Sequence, residues 1–206
     1  MFCTPTSAGV EAFKILDWAE IAKGINAKSY SASQISMKTT DSYSKAKILD
    51  IDANKIIEVV GQNTIPIITG FQGITETGDI TTLGRGGSDT TAVAIASSVG
   101  AERCDIYTDV DGVYTTDPNI EQNAKKISKM SYEEMLEMAS TGSKVLHTRS
   151  VELAMKNNLT LQVLSSLTKE IGTFIVDEKE LIEKEIVSGV SYSKNEAKVT
   201  ISGILD

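Results

Sequence analysis

Histidine, cysteine, tryptophan and proline are scarce in this 206-residue chain: one His, two Cys, one Trp and three Pro. Cys3 and Cys104 stand far apart and outside any C-x-x-C spacing, so neither a disulfide framework nor a Cys/His zinc site is indicated. The single histidine, His147, has no Ser or Cys partner identifiable from sequence, and a structural role is expected for it rather than general-base work. Positive charge is also in deficit. Twenty Lys and Arg against 28 Asp and Glu give a formal net charge of -8, a field that repels nucleic acid and anionic membrane, so neither is an expected partner. No run of about 18 apolar residues occurs, and the opening MFCTPTSAGVEAFK lacks a basic stretch ahead of a long apolar one. A cytoplasmic location is therefore expected.

What is present is the composition of a globular protein, 41% hydrophobic and 23% charged. Patterning predicts a helix near Glu11 to Lys23, a strand at Ile65 to Phe71, a helix from about Asp89 to Val99 and a strand at Asp105 to Val110. Ser131 and Glu134 form a capping box ahead of MLEMA, Gly142 is the expected stop, and Ser143 is the expected cap of the next helix, KVLHTRSVELAMKN. TLQVLSS and TFIVD read as strands. The alternation predicts an α/β fold, an open and mostly parallel sheet with helices on both faces, whose ligands sit beyond the carboxyl ends of the strands. FQGITETGDITTLG breaks the alternation and reads as an inserted β-hairpin. A charged segment at 177–185, DEKELIEKE, reads as a linker or short solvated helix between a body at 1–176 and the start of a second module at 186–206. Those last residues are too few to fold alone.

Three segments carry candidate chemistry. In LGRGGSDTTA, Leu83 to Ala92, glycines allow close approach of backbone to a ligand, Ser88 and Asp89 are natural helix caps, and the following helix offers free N–H groups and a positive dipole end. Arg85 adds a fork suited to a carboxylate or phosphate. On spacing alone the segment also fits a structural turn with a surface arginine, and it matches neither a P-loop nor a GxGxxG fingerprint. In YTDVDGVYTTDP, Tyr107 to Pro118, Asp109, Asp111 and Asp117 crowd charge onto a strand-end loop, but the EF-hand spacing fails. Thr108 and Asp109 fit a nucleotide contact with Tyr114 packed nearby, and a ligand-free Asx-turn loop fits as well. In TGSKVLHTRSVELA, Lys144 is expected in the first turn of a helix, where the dipole disfavours it unless an anion is bound.

ITGFQGITETGDITTLGRGGSDTTA, CDIYTDVDGVYTTDP and SYEEMLEMASTGSKVLHTRSVELA together resemble the aspartate kinase family of the amino-acid kinase superfamily, over about Gly24 to Asp206. GVSYSKNEAKVTISGILD resembles the opening of the regulatory ACT module that follows the kinase domain there. The resemblance implies transfer of the ATP γ-phosphoryl group to the side-chain carboxylate of L-aspartate, the first step toward lysine, threonine and methionine. ATP enters with Mg2+ as a substrate complex, with no protein metal site and no prosthetic group. It implies that Arg85 and Ser88, with Glu11 as the nearest match to a further family carboxylate, bind aspartate. Asp89 organises the centre, Thr108, Asp109 and Tyr114 line the nucleotide site, and Lys144 with Val145 meets phosphates and transition-state charge. Arg85, Asp89 and Lys144 are thereby the catalytic candidates.

The family opens with a KFGGTS-type lysine loop that has no counterpart here, so the chain is expected to start in mid-domain. Asn119 stands where a basic residue often follows DP. A homo-oligomer is expected. The alternatives are a non-catalytic nucleotide- or amino-acid-binding subunit and another superfamily kinase, of the uridylate or acetylglutamate type.

Overall fold

The computed structural model describes residues 23–143, 145–168, 170–181 and 189–191. The expected helix near Glu11 to Lys23, Glu11 itself, Lys144 and most of the ACT-like segment lie outside them. The described strands form three groups. β1 (Ala27–Tyr30) pairs in parallel with β4 (Ile65–Ile68). β2 (Lys38–Thr39), β3 (Ile48–Asp50), β5 (Gln72–Ile74) and β6 (Ile80–Thr82) form a four-stranded sheet in the order β3-β2-β5-β6. β7 (Arg103–Thr108), β8 (Lys129–Ser131), β9 (Thr160–Ser165) and β10 (Thr173–Val176) form another, in the order β7-β9-β10-β8. The expected hairpin is the antiparallel pair β5 and β6, turning through Gly78 at φ 89°.

Four helices join these strands: α1 (Ala53–Gly61), α2 (Gly87–Ser98), α3 (Tyr132–Thr141) and α4 (Thr148–Lys156). α2 lies between two cores. Ala92, Val93 and Ala96 pack with Cys104, Ile106, Val151, Leu161 and Val163, whereas Ile95 packs with Tyr30, Ile35, Met37, Ile56 and Ile68. A helix buried on opposite sides has no polar stripe, which is why TTAVAIA is apolar or small throughout. α4 shows the usual amphipathic compromise, burying only Ser150, Val151 and Ala154.

Local chemistry sets several boundaries. The capping box is complete: Glu134 N–H donates to Ser131 Oγ at 3.1 Å and Ser131 N–H donates to Glu134 Oε2 at 2.9 Å. Gly142, at φ 130°, ends α3. The strand expected to Phe71 stops at Ile68, and Phe71 itself takes a left-handed φ of 72°. Two caps differ from expectation. α4 starts at Thr148, capped by His147 rather than Ser143, because the chain first runs irregularly through 145–147 to bury Leu146. α2 is capped by Gly86, not by Ser88 or Asp89. Left-handed Gly86, at φ 69°, turns the chain directly into the helix and leaves both side chains in its first turn.

Of the charged segment, Glu178–Glu180 forms a 3-10 turn capped by Asp177. Beyond it, Val190 N–H donates to Thr115 O at 2.7 Å, and the Ser191 and Thr141 hydroxyls are hydrogen-bonded, so residues 189–191 lie against the body. No helix among the described residues is long and apolar enough to cross a membrane.

Candidate active site

Strand direction brings the candidate segments to one edge. β7 and β9 are parallel from Arg103↔Thr160 to Thr108↔Ser165. α2 packs on β7 and connects to it only through residues 99–102, and α4 connects to β9 through 157–159, so each helix returns along its strand. The N-termini of α2 and α4 therefore stand beside the carboxyl ends of β7 and β9. β8 pairs in parallel with β10, which is antiparallel to β9, so β8 descends from that edge and α3 climbs back to it, ending at Gly142. Four pieces meet there: the glycine turn, the loop after Thr108, the segment around Ser143 and Val145, and the first turn of α4.

The turn and α4 are in direct contact, since a Cβ added at Gly86 would lie 2.4 Å from His147 Cβ. Glycine is also required at Gly84 and Gly87. A Cβ at Gly84, at φ 78°, would meet Ser44 O at 2.9 Å, and one at Gly87 would meet the Phe71 ring at 2.7 Å. The backbone is locked from outside the turn as well. Arg149 donates through Nη1 to Leu83 O and through Nη2 to Ala46 O, each at 2.8 Å, and Phe71 N–H donates to Thr91 Oγ1 at 3.1 Å.

The charged groups at this edge are held differently. Arg85 is exposed and has no hydrogen bond or ion pair to another described residue. Asp89 is partly buried; burial pushes its carboxyl above the ordinary carboxylate range, while the Ser88 hydroxyl, 3.4 Å away, and the His147 side chain pull it back. His147 Nδ1 accepts from Arg149 N–H at 3.4 Å, so a proton on its neutral ring resides on Nε2.

At the end of β7, Thr108 Oγ1 donates to Asp109 Oδ1 at 3.0 Å, and Ser166 N–H donates to Thr108 O at 2.8 Å. Asp109 is exposed. Tyr114 donates to both Asp111 oxygens at 3.0 and 3.1 Å, and Lys126 Nζ sits 3.3 Å from Asp111 and 3.3 Å from Glu170. Burial raises the Asp111 carboxyl, but the Tyr114 and Lys126 hydrogen bonds outweigh it and hold the group below its ordinary range. Its oxygens are thus occupied by the protein. Among the described residues no group of three or more His, Cys, Asp or Glu is arranged to hold a metal ion.

The structure thus brings Arg85, Ser88, Asp89, Thr108, Asp109, Tyr114 and Val145 to one edge, while Glu11 and Lys144 lie outside the described residues. α4 begins at Thr148, so the first-turn position expected for Lys144 does not exist. Sequence reasoning missed Arg149, Lys126 and Phe71. None left a signal: with the helix expected to begin after Ser143, Arg149 falls in its second turn rather than at its start.

The α/β body thus carries a glycine turn, two helix N-termini and a strand-end aspartate loop on one carboxyl edge, and the chain belongs to the amino acid kinase family, whose pattern residues 19–165 match. Within that family it is similar to aspartate kinases. It is 50% identical over 193 residues to the aspartate kinase of Pseudomonas putida (strain KT2440), covering 93% of this chain and 47% of that one. Escherichia coli aspartokinase III in complex with aspartate and ADP superposes with a TM-score of 0.69 at 32% identity, over 81% of this chain and 38% of that one. The aspartate kinase of Synechocystis gives 0.68 at 37% identity, over 81% and 27% of the two chains. The chain spans about half the length of the curated relatives it matches.

Proposed function

We propose that the chain is the part of an aspartate kinase that grips both reactants, ATP with its Mg2+ and L-aspartate. One observation carries the reading: the exposed Arg85 guanidinium and the Thr108–Asp109 strand end occupy the same edge, beside the positive end of α2. The reaction joins two anions. A side-chain carboxylate oxygen of aspartate attacks the γ-phosphorus, the bond from that phosphorus to the β–γ bridging oxygen breaks, and an acyl phosphate and ADP leave. With little covalent chemistry for the protein to perform, positioning and charge stabilisation set the rate.

In this reading Arg85 takes a carboxylate of aspartate in a two-point grip and Ser88 supplies a hydroxyl donor. The α2 N-terminus adds N–H groups and dipole to the same anion. Asp89 organises the centre. Thr108, Asp109 and Tyr114 line the nucleotide, and Lys144 with Val145, between α3 and α4, meets its phosphates. In this role Lys144 would meet the negative charge that builds in the transition state. Glu11 is the remaining proposed substrate contact.

The test is hydroxylamine trapping of the acyl phosphate. The protein incubated with ATP and Mg2+ should yield aspartyl hydroxamate with L-aspartate, no hydroxamate with N-acetylglutamate and no ADP release with UMP. Product with another acceptor, or failure to bind both ATP and L-aspartate, would overturn the assignment.

A further inference from the structure

Arg149 is half-buried, and both terminal nitrogens are spent on backbone carbonyls rather than on a carboxylate. Its two acceptors belong to different segments. Leu83 O immediately precedes the glycine turn, and Ala46 O lies between β2 and β3. Those segments are themselves paired, since Ala46 N–H donates to Thr82 O at 3.0 Å and Gly84 rests against Ser44 O. The guanidinium therefore staples both backbones to the first turn of α4. Two positions earlier His147 fills the space beside Gly86, so α4 holds the turn at its base and at its crest.

We propose that Arg149 is a positioning residue for the acceptor-binding turn. By fixing Leu83 O and Ala46 O it sets the direction in which Arg85 and the α2 N-terminus present themselves, and it ties that turn to the first turn of α4. A planar fork suits this task because it meets two carbonyls at once, which a lysine ammonium on a flexible stem does not do with fixed geometry. The catalytic consequence of this clasp rests on the aspartate kinase reading; the clasp itself does not.

The test compares Arg149→Met, Arg149→Lys and Arg149→Ala in the full chain. In R149M, kcat/KM for aspartate should fall about 10²-fold, the scale for a misplaced reactant, while KM for ATP stays close to wild type. R149K should fall between, and millimolar guanidinium ion should restore part of the activity of R149A. Amide exchange at Gly84 to Thr90 should accelerate in R149M and slow again when guanidinium is added to R149A. Wild-type kcat/KM and wild-type exchange in R149M would overturn the proposal. So would equal loss toward both substrates with a lowered Tm, without rescue by guanidinium or lysine. Should wild type form no aspartyl hydroxamate, the functional reading fails, while exchange and rescue still decide the clasp.

Discussion

His147 and Gly86 occupy contiguous space: a side-chain atom at Gly86 would stand 2.4 Å from both Cβ and Cγ of the imidazole. The one histidine in the chain serves as a wall for the glycine turn and as the N-cap of α4.

Gly86→Ala should therefore be costly. The left-handed φ of 69° penalises any Cβ by about 1 kcal/mol, and displacing His147 threatens a cap worth about 1 kcal/mol. A total loss of about 2 kcal/mol is expected in urea unfolding, together with lost turnover. Gly61→Ala is the control: nothing lies within 4 Å of its added Cβ at the end of α1, and a gain of about 0.5 kcal/mol is expected. Equal effects at the two sites would contradict the packing argument.

Asp89 predicts a trade between stability and activity. Its folded-state pKa lies above the unfolded one because burial disfavours the carboxylate. The native state thus binds the proton more tightly, and the stability this contributes is present below the ordinary carboxylate range and lost as pH rises through the raised value. Asp89→Asn should then unfold at higher urea than wild type at pH 7, with the advantage shrinking toward pH 4, while turnover is lost. An Asn variant less stable than wild type at neutral pH would refute the burial argument.

Tyr114 acts on the loop through Asp111. Tyr114→Phe keeps the ring and removes the hydroxyl donated to both carboxylate oxygens. KM for ATP should rise about 10- to 100-fold, the scale of one hydrogen bond to a charged group, with kcat little changed. The Asp111 carboxyl is lowered in the native state, so its contribution holds above the ordinary carboxylate range and fades as pH falls through the lowered value. Weakening of ATP binding on acidification should begin at higher pH in Y114F. ATP titrations between pH 4 and 7 would show whether the acid limb moves.

Thr39 and Thr81 form a buried hydroxyl pair 2.6 Å apart inside the β3-β2-β5-β6 sheet. Thr39→Val should cost about 1–3 kcal/mol by stranding Thr81, whereas after Thr81→Val the Thr39 hydroxyl keeps Ile74 O at 3.3 Å. The double valine variant should cost less than the sum of the two singles, because neither position then buries an unpaired hydroxyl. A strictly additive double-mutant cycle in urea would show that the pair is not coupled.

Features decided within a few residues were legible. Ser131 and Glu134 announced the start of α3, Gly142 its end, and Glu76-Thr77-Gly78 the hairpin, since each is a local exchange of backbone hydrogen bonds. The glycine turn was visible as an anion cradle, but its supports were not. Arg149 reaches Ala46 across much of the chain, and no spacing rule connects the two. His147 as a cap was hidden because imidazole seldom plays that role, so Ser143 drew the assignment. Phe71 reads as the end of an apolar strand, and its contact with Gly87, its bond to Thr91 and the Leu83 N–H on its carbonyl hold it left-handed.

β7 and β8 occupy opposite rims of their sheet, with β9 and β10 filling the gap between them. The chain from Asp109 to Ser128 therefore strides across the whole sheet before the two strands beneath it have been made. Thr173, in the last of those strands, accepts from Val113 N–H at 2.8 Å and donates to Ile127 O at 2.6 Å, fastening both ends of the stride. On the ribosome, Val113 N–H and Ile127 O wait without their partner until residue 173 emerges, so the loop can close on itself before it is moored to the sheet.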